Sequence, residues 1–171
     1  MGAPLVVKCH RRAAALAALL TGCAASPELV SCLQPNRRVA VEVTGSKVKP
    51  PAKPGAKPGR DNVLLKTMAQ GDGAWDQNSA VLKAGGQAEL DKTVGLIQKG
   101  VKKDPRPVNI GSVIITGHSD RLEADANPDL DEQRAKAVQT YLVTKGLEPK
   151  LMFWEGKDAK EPMAVTKFCA D

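Results

Sequence analysis

The stretch that decides the fold reads T-G-H-S-D-R at residues 116–121 and N-P-D-L-D-E-Q-R-A-K-A-V-Q-T-Y-L at residues 127–142. It overlaps the end of a run rich in valine and isoleucine, residues 108–116, which predicts a largely buried strand. The spacing of the second segment predicts a helix from about residue 128 to residue 145, closed by Gly146. A buried strand followed by an amphipathic helix indicates an α/β unit.

One charged residue of this helix lies where an apolar residue is expected. On a helical wheel the apolar side chains fall within a single arc, and Arg134 lies near its middle. A charge there is costly unless an anion compensates it, and the nearest candidate is Asp120, on the same rim of the α/β layer. Two interpretations follow. The pair is either a structural salt bridge, or a clamp in which Arg134 binds a carboxylate and Asp120 an ammonium.

The rest of the chain supplies further elements of one fold. Ser26-Pro27-Glu28 is typical of a helix start, and this helix is expected to end near Leu33. A linker rich in Pro, Gly and Lys occupies residues 47–60. The order strand–helix–strand–helix–strand predicts an α/β sandwich with helices on one face of the sheet. The other elements that periodicity predicts are strands at residues 38–44, 62–68 and 151–154 and a helix at residues 83–101.

Composition and charge exclude several classes of protein. The formal charge of +6 comes from basic residues near the N-terminus and in the linker, so the part expected to fold is slightly acidic. Nucleic-acid binding requires basic residues on a folded face, and no nucleic-acid partner is expected. The 4 cysteines form no C-x-x-C pair and the 2 histidines complete no zinc spacing, so neither a metal nor another cofactor is expected.

Residues 1–23 are typical of an export signal. Basic residues precede a short apolar run at residues 13–20, which is too short to span a bilayer. The ending L-T-G-C at residues 20–23 resembles a bacterial lipobox and makes Cys23 a candidate for lipidation. An Ala-rich helix of the folded domain is the alternative. An exported chain would be periplasmic, and a lipid on Cys23 would anchor it to the outer membrane.

The two segments quoted first resemble the OmpA-like family. The family motif is N-x-x-L-S-x-x-R-A-x-x-V-x-x-x-L. Asp131 departs from it, since it stands where the family usually has Ser, but both residue types cap helices. The resemblance spans roughly residues 26–46 and 61–171. The positions that match, preceded by G-H-S-D, are Asn127, Leu130, Arg134, Ala135, Val138 and Leu142.

The resemblance implies binding rather than catalysis. The family binds peptidoglycan non-covalently, through the free diaminopimelate of the stem peptide, a group with both an ammonium and a carboxylate. By resemblance, Asp120 binds the ammonium and Arg134 the carboxylate, which agrees with the clamp. The other residues that the resemblance assigns to the pocket are Asn127 and Leu130 in its wall and, at its edge, Arg37 or Arg38.

The order of the segments differs from that of the family. The family strand that corresponds to residues 38–44 comes last, after the segment that here ends at Asp171. Residues 26–46 therefore predict a circular permutation in which strand 38–44 lies inside the sheet, with a fragment of a tandem array as the alternative. The family's two late cysteines would correspond to Cys32 and Cys169, which predicts a disulfide between them in an oxidising compartment. A homodimer that exchanges strand 38–44 is a further alternative.

Two other functions stay open at this point. A cell-wall hydrolase would need a nucleophile with its base, a zinc set or a pair of carboxylates, and the adjacent His118 and Ser119 have no evident third partner. A periplasmic assembly or adhesion protein would use the edge of the sheet. The sequence favours a non-catalytic module that binds peptidoglycan and anchors the envelope to the cell wall.

Overall fold

The computed structural model describes residues 26–48, 62–157, 160–161 and 163. Residues 1–23, which are predicted to be an export signal with Cys23, most of the predicted linker, and Cys169 lie outside the described residues, and the expectations about them stay predictions. Two 3-10 turns, Gln34–Asn36 and Pro149–Leu151, lie after the first helix and before the last strand. The other elements are α1 (Pro27–Leu33), β1 (Arg38–Lys47), β2 (Asn62–Gln70), α2 (Ala84–Lys99), β3 (Val108–His118), α3 (Arg121–Ala126), α4 (Leu130–Thr144) and β4 (Met152–Gly156).

The described strands form one mixed sheet in the order β2-β1-β3-β4. β1 pairs antiparallel with both β2 and β3, whereas β4 pairs parallel with β3. The prediction that strand 38–44 lies inside the sheet is confirmed, and the strand takes this place within its own chain; an exchanged dimer stays a prediction. β1 is longer than predicted, because pairing continues to Lys47 opposite Val108. Lys47, which was predicted to be the first residue of the linker, therefore belongs to the strand.

The core lies on one face of this sheet. In β1, Val39, Val41 and Val43 alternate with outward side chains and are at most 1% exposed, as a strand with one buried face requires. α2 packs against β2, and α4 packs against β3 and β4. The predicted sandwich of a sheet with helices on one face is confirmed.

The other face of the sheet is largely open. Leu64, Ile114 and Phe153 project from it and are 57%, 40% and 62% exposed. Glu42 of β1 and Lys66 of β2 lie opposite each other on this face and form an ion pair of 2.5 Å between Oε1 and Nζ. The sheet therefore has a packed face and an open one.

Ser26 and Gly100 cap two of the helix ends. Oγ of Ser26 accepts the backbone N–H of Leu29 at 3.2 Å, which caps α1. α2 ends at Gly100, whose φ of 68° needs a residue without a Cβ and whose N–H donates to the carbonyl oxygen of Leu96.

The start of α4 approaches β3 very closely. A Cβ at Gly117 would collide with the backbone carbonyl oxygen of Asp131, so only glycine allows this contact. The first turns of α4, including Arg134, are thereby held against the end of β3.

Candidate functional site

The antiparallel pairing of β1 and β3 brings charged residues together from distant parts of the chain. The start of β1 lies beside the end of β3, with Arg38 opposite His118. Arg37 comes just before this pair and Asp120 just after it, so that two residues 83 positions apart in sequence meet at one end of the sheet. The same end of β3 leads into α3.

Arg37 and Asp120 form a buried ion pair. Nη1 of Arg37 lies 3.1 Å from Oδ2 of Asp120, and the two side chains are 1% and 0% exposed. Nη1 also donates to the carbonyl oxygen of Val30. Nη2 pairs with Asp72, whose side chain is exposed. Arg37 therefore connects a buried carboxylate with one at the surface.

Asp120 is also the N-cap of α3, a short helix that the sequence analysis did not predict. Oδ1 of Asp120 accepts the backbone N–H groups of Leu122 and Glu123 at 2.9 Å each. In return, Oε2 of Glu123 accepts the N–H of Asp120 at 3.3 Å, which completes a capping box. Reciprocal capping therefore fixes the Glu123 carboxylate beside Asp120.

The carboxylate that compensates Arg134 is Glu123. Nη1 and Nη2 of Arg134 lie 2.7 Å from Oε2 and Oε1 of Glu123, and both side chains are 0% exposed. The prediction that Arg134 is buried and compensated by an anion is confirmed. The expectation that Asp120 is its partner is wrong, because Asp120 is engaged by Arg37 and by capping, and the capping box holds Glu123 within reach of the guanidinium.

These four side chains form one continuous network, which we call the buried charge network: Arg37, Asp120, Glu123 and Arg134. It contains two cations and two carboxylates, and the hydrogen bond between the N–H of Asp120 and Glu123 joins its two ion pairs. Asp120 and Arg134 thus belong to one network at one end of the sheet. Whether they share a zwitterionic ligand stays a prediction.

Residues 71–83, which we call the cover segment, lie over Arg134. Nε of Arg134 donates to the carbonyl oxygen of Ser79 at 2.9 Å, and Nη2 donates to that of Asp76 at 3.2 Å. The guanidinium carbon lies 5.5 Å from the centroid of the buried Trp75 ring, a cation–π contact. The cover segment therefore holds the guanidinium through two backbone carbonyl oxygens and one aromatic ring.

The cover segment is also bonded to Glu123. The backbone N–H of Asn78 donates to Oε1 of Glu123 at 2.8 Å, and Asn78 has a left-handed φ of 54°. Nζ of Lys83 pairs with Asp76 at 2.6 Å near the other end of the segment. Both partners of the Arg134–Glu123 pair are thus tied to the same loop.

Arg38 and His118 lie beside the network without joining it. Burial lowers the pKa of Arg38, although the charge of Glu161 opposes this. Burial, and after it the positive charge of Arg38, also lowers the pKa of His118. Nη2 of Arg38 donates to the carbonyl oxygen of Glu161 at 2.7 Å, whereas Nη1 of Arg38 and Nδ1 of His118 have no hydrogen-bond partner among the described residues. The place of Arg38 at a pocket edge stays a prediction.

Asn127 and Leu130 connect α3 to α4. The N–H of Asn127 donates to the carbonyl oxygen of Glu123 at 2.7 Å, and its own carbonyl oxygen accepts the N–H of Leu130 at 3.2 Å. Asn127 is half-buried and Leu130 is buried. They position the helix that carries Arg134, while their contribution to a pocket wall stays a prediction.

Cys32 is disulfide-bonded. The other three cysteines, Cys9, Cys23 and Cys169, all lie outside the described residues. The pairing of Cys32 with Cys169 therefore stays a prediction.

Neither a metal-binding cluster nor a membrane-spanning helix is present among the described residues. No group of three or more His, Cys, Asp or Glu side chains is placed there to hold a metal ion. In the same part of the chain, no helix has the length and apolar character needed to cross a bilayer.

Sequence reasoning missed Glu123, Asp72 and Trp75 as members of this site. The signal for Glu123 was readable, because an Asp followed three positions later by Glu has the spacing of a capping box. No local signal marks Asp72 or Trp75, since the cover segment reaches the network only through tertiary packing.

Comparison with known proteins gives related sequences. Outer membrane protein A from Bordetella avium is 30% identical over 106 residues, which cover 61% of this chain and 50% of that protein. Outer membrane protein A from Escherichia fergusonii is 36% identical over 87 residues, which cover 50% of this chain and 33% of that protein. The matched region thus spans no more than about half the length of these relatives.

A solved structure and a family model complete the comparison. The OmpA-like domain of FopA1 from Francisella tularensis subsp. tularensis SCHU S4 has 26% identity and a TM-score of 0.41, over 54% of this chain and 58% of that one. The model of the OmpA family matches residues 74–169. Because this match covers more than half of the chain, the protein belongs to the OmpA family.

Proposed function

We propose that this chain is a non-catalytic module that binds peptidoglycan through the diaminopimelate of the stem peptide. The observation that carries the proposal is the buried charge network, in which a carboxylate, Asp120, and a guanidinium, Arg134, lie fully buried in one hydrogen-bonded system. A zwitterionic ligand matches such a pair in charge and in hydrogen-bonding chemistry. Family membership supports the same assignment.

The cost of burying these charges supports a role in recognition. Replacing a buried ion pair by apolar residues of similar volume is often neutral or stabilising. The network contains two such pairs, beside a hydrophobic cluster that consists of Val, Leu, Ile and Ala residues with Trp75 and Met152. A requirement to bind a charged ligand would account for charges that stability alone does not favour.

In this proposal Asp120 accepts hydrogen bonds from the ammonium group of the ligand. Its carboxylate is held in place by Arg37 on one oxygen and by two backbone N–H groups on the other. Asp72 and Asp76 are exposed nearby on the cover segment, and their charges would attract an ammonium to this end of the sheet.

On the carboxylate side, the proposal assigns Arg134. Its planar fork suits bidentate binding of a carboxylate, and in this structure the fork already holds one. Around this pair, the proposal assigns the pocket wall to Asn127 and Leu130 and its edge to Arg37 or Arg38.

The setting in the cell belongs to the same proposal. Export to the periplasm and lipidation of Cys23 would link the outer membrane to the wall through this module. The order of segments, with the family-last strand at residues 38–44, would be a circular permutation closed by a disulfide between Cys32 and Cys169.

Hydrolysis is less well supported than binding. Ser119 and His118 are almost fully buried, and in the part of the chain that the structure describes Nδ1 of His118 has no hydrogen-bond partner. A catalytic base normally has its second nitrogen oriented by another group. The described residues around His118 supply no such orientation.

Pelleting with purified peptidoglycan tests the proposal. The full chain should pellet with the wall without releasing soluble wall fragments. A Glu42→Gln control, which changes an exposed carboxylate on the open sheet face, should pellet to the same extent. Release of fragments would indicate a hydrolase, and absence of pelleting would contradict the proposal.

A further inference from the structure

We propose that Glu123 determines the specificity of the wall-binding site, as an internal carboxylate that the carboxylate of the ligand has to displace from Arg134. This inference rests on the proposed function. In it, Glu123 competes with the ligand carboxylate for Arg134. Glu123 belongs neither to the clamp of Asp120 and Arg134 nor to the family motif.

The ion pair of Arg134 and Glu123 has the geometry of carboxylate binding. Both terminal nitrogens of Arg134 hold one oxygen each of Glu123 at 2.7 Å. This is the fork geometry by which a guanidinium binds a free carboxylate. Glu123 therefore occupies the position that a ligand carboxylate needs.

Arg134 has too few remaining N–H donors to bind a ligand carboxylate in addition to Glu123. Arg134 has five N–H groups, and four hydrogen bonds use them, with Ser79 and Asp76 of the cover segment taking two. The single N–H that remains cannot make a bidentate contact. A ligand carboxylate can bind Arg134 in full only if Glu123 leaves.

In this structure a ligand has no access to Arg134. Arg134 and Glu123 are 0% exposed because the cover segment lies over them. Oε1 of Glu123 accepts the N–H of Asn78, so the residue that occupies the fork also ties down the cover. Gly71, Gly73 and Ala74 of the cover segment also line a pocket of about 440 Å³. Release of Glu123 would free the fork and loosen the cover in one step.

Competition of this kind has a defined consequence for specificity. A ligand with a free carboxylate can replace Glu123 on Arg134 and regain the charge–charge interaction. A ligand whose carboxylate is amidated cannot, because a carboxamide brings no negative charge to the guanidinium. Only the form of the ligand with a charged carboxylate can therefore displace Glu123 from Arg134.

Glu123→Gln tests this inference, because it keeps the shape of the side chain and removes its charge. The probes are a stem tripeptide that ends in diaminopimelate and the same peptide with the side-chain carboxylate amidated. The chain has 2 tryptophans, Trp75 and Trp154. A Trp154→Phe background keeps only Trp75, which contacts Arg134. Its fluorescence then reports changes at the cover segment, and calorimetry gives the affinity.

The expected result is a gain in affinity for one probe only. Glu123→Gln should bind the free-carboxylate peptide about tenfold more tightly than the wild type, a change of about 1.4 kcal/mol. The amidated peptide should change much less. The matched control is Glu42→Gln, the same substitution at an exposed carboxylate outside the site, and it should change neither affinity.

A measurement on the wild type covers the case in which Glu123→Gln does not fold. The amide of Asn78 donates to Glu123 in the closed structure. Saturation with the free-carboxylate peptide should break this bond, so that the amide exchanges faster and its chemical shift moves. A protected, unshifted Asn78 amide in the saturated protein would overturn the inference.

The outcomes separate this inference from the proposed function. If the wild type binds the free-carboxylate peptide but Glu123→Gln binds it no more tightly, the inference about Glu123 fails and the proposed function stands. If neither protein binds either peptide or the intact wall, both fail.

Discussion

Two regions of this protein use the same ion-pair chemistry in opposite settings. In the buried charge network, Arg134 and Glu123 are 0% exposed and hydrogen-bonded on both sides. On the open face of the sheet, Lys66 and Glu42 form a pair of similar length, but they are 61% and 41% exposed. Water screens the second pair and is excluded from the first.

The difference shows which charges the fold depends on. An exposed pair contributes about 0–1 kcal/mol, because water already solvates both groups. A buried pair is favourable only while both partners are present, since either one alone is a buried charge without compensation. The network is therefore sensitive to the loss of one member, and less so to the replacement of both.

Loss of the Arg134 side chain should have the largest effect. Arg134→Ala leaves Glu123 buried without its cation, and the free energy of unfolding should fall by about 3–5 kcal/mol. It should also abolish pelleting with peptidoglycan. Denaturant unfolding followed by circular dichroism measures the first effect.

A double variant separates stability from binding. Arg134→Leu combined with Glu123→Leu removes both charges, so most of the stability should return, while wall binding stays absent. Recovery of wall binding in the double variant would mean that Arg134 does not contact the ligand.

Lowering the pH should destabilise the protein through His118, which lies at the end of the sheet beside the buried charge network. The pKa of His118 is lowered from 6.5 by burial and by Arg38, so the folded state binds a proton more weakly than the unfolded chain. Unfolding therefore takes up a proton as the pH falls from about 6.5 to the lowered pKa, and stability decreases across that window. The loss of melting temperature between pH 7.5 and pH 5.5 should be smaller in His118→Gln than in the wild type. Equal losses would show that His118 does not carry this effect.

The smallest effect is expected on the open face. Glu42→Ala should lower the free energy of unfolding by no more than about 1 kcal/mol, and high salt should remove most of that difference. A loss as large as that of Arg134→Ala would contradict the contrast between the two regions.

Local patterns predicted most of this fold. The alternation of Val39, Val41 and Val43 marks a strand with one buried face, and the helical wheel shows that Arg134 is buried. The central place of β1 followed from the order of segments in the family, because periodicity alone cannot choose the neighbours of a strand.

The candidate site was less predictable than the fold. Proximity along the chain and around one rim favoured Asp120 as the partner of Arg134, whereas the capping box of α3 gives that position to Glu123. The cover segment was not foreseen, since its contacts to Arg134 use backbone carbonyl oxygens of Asp76 and Ser79. Every residue type has a backbone carbonyl oxygen, so the sequence does not indicate which residues make these contacts.

The most direct test of the account is the affinity of the full chain for two stem tripeptides, one ending in diaminopimelate and one ending in lysine. Lysine keeps the ammonium but lacks the side-chain carboxylate, so it should lose the contact to Arg134. We expect calorimetry to show binding of the lysine peptide weaker by a factor of about ten or more, since a hydrogen bond between charged groups contributes roughly 1.5–3 kcal/mol. Equal affinity for the two peptides would contradict the assignment of Arg134 as the carboxylate-binding residue, and with it the zwitterion clamp.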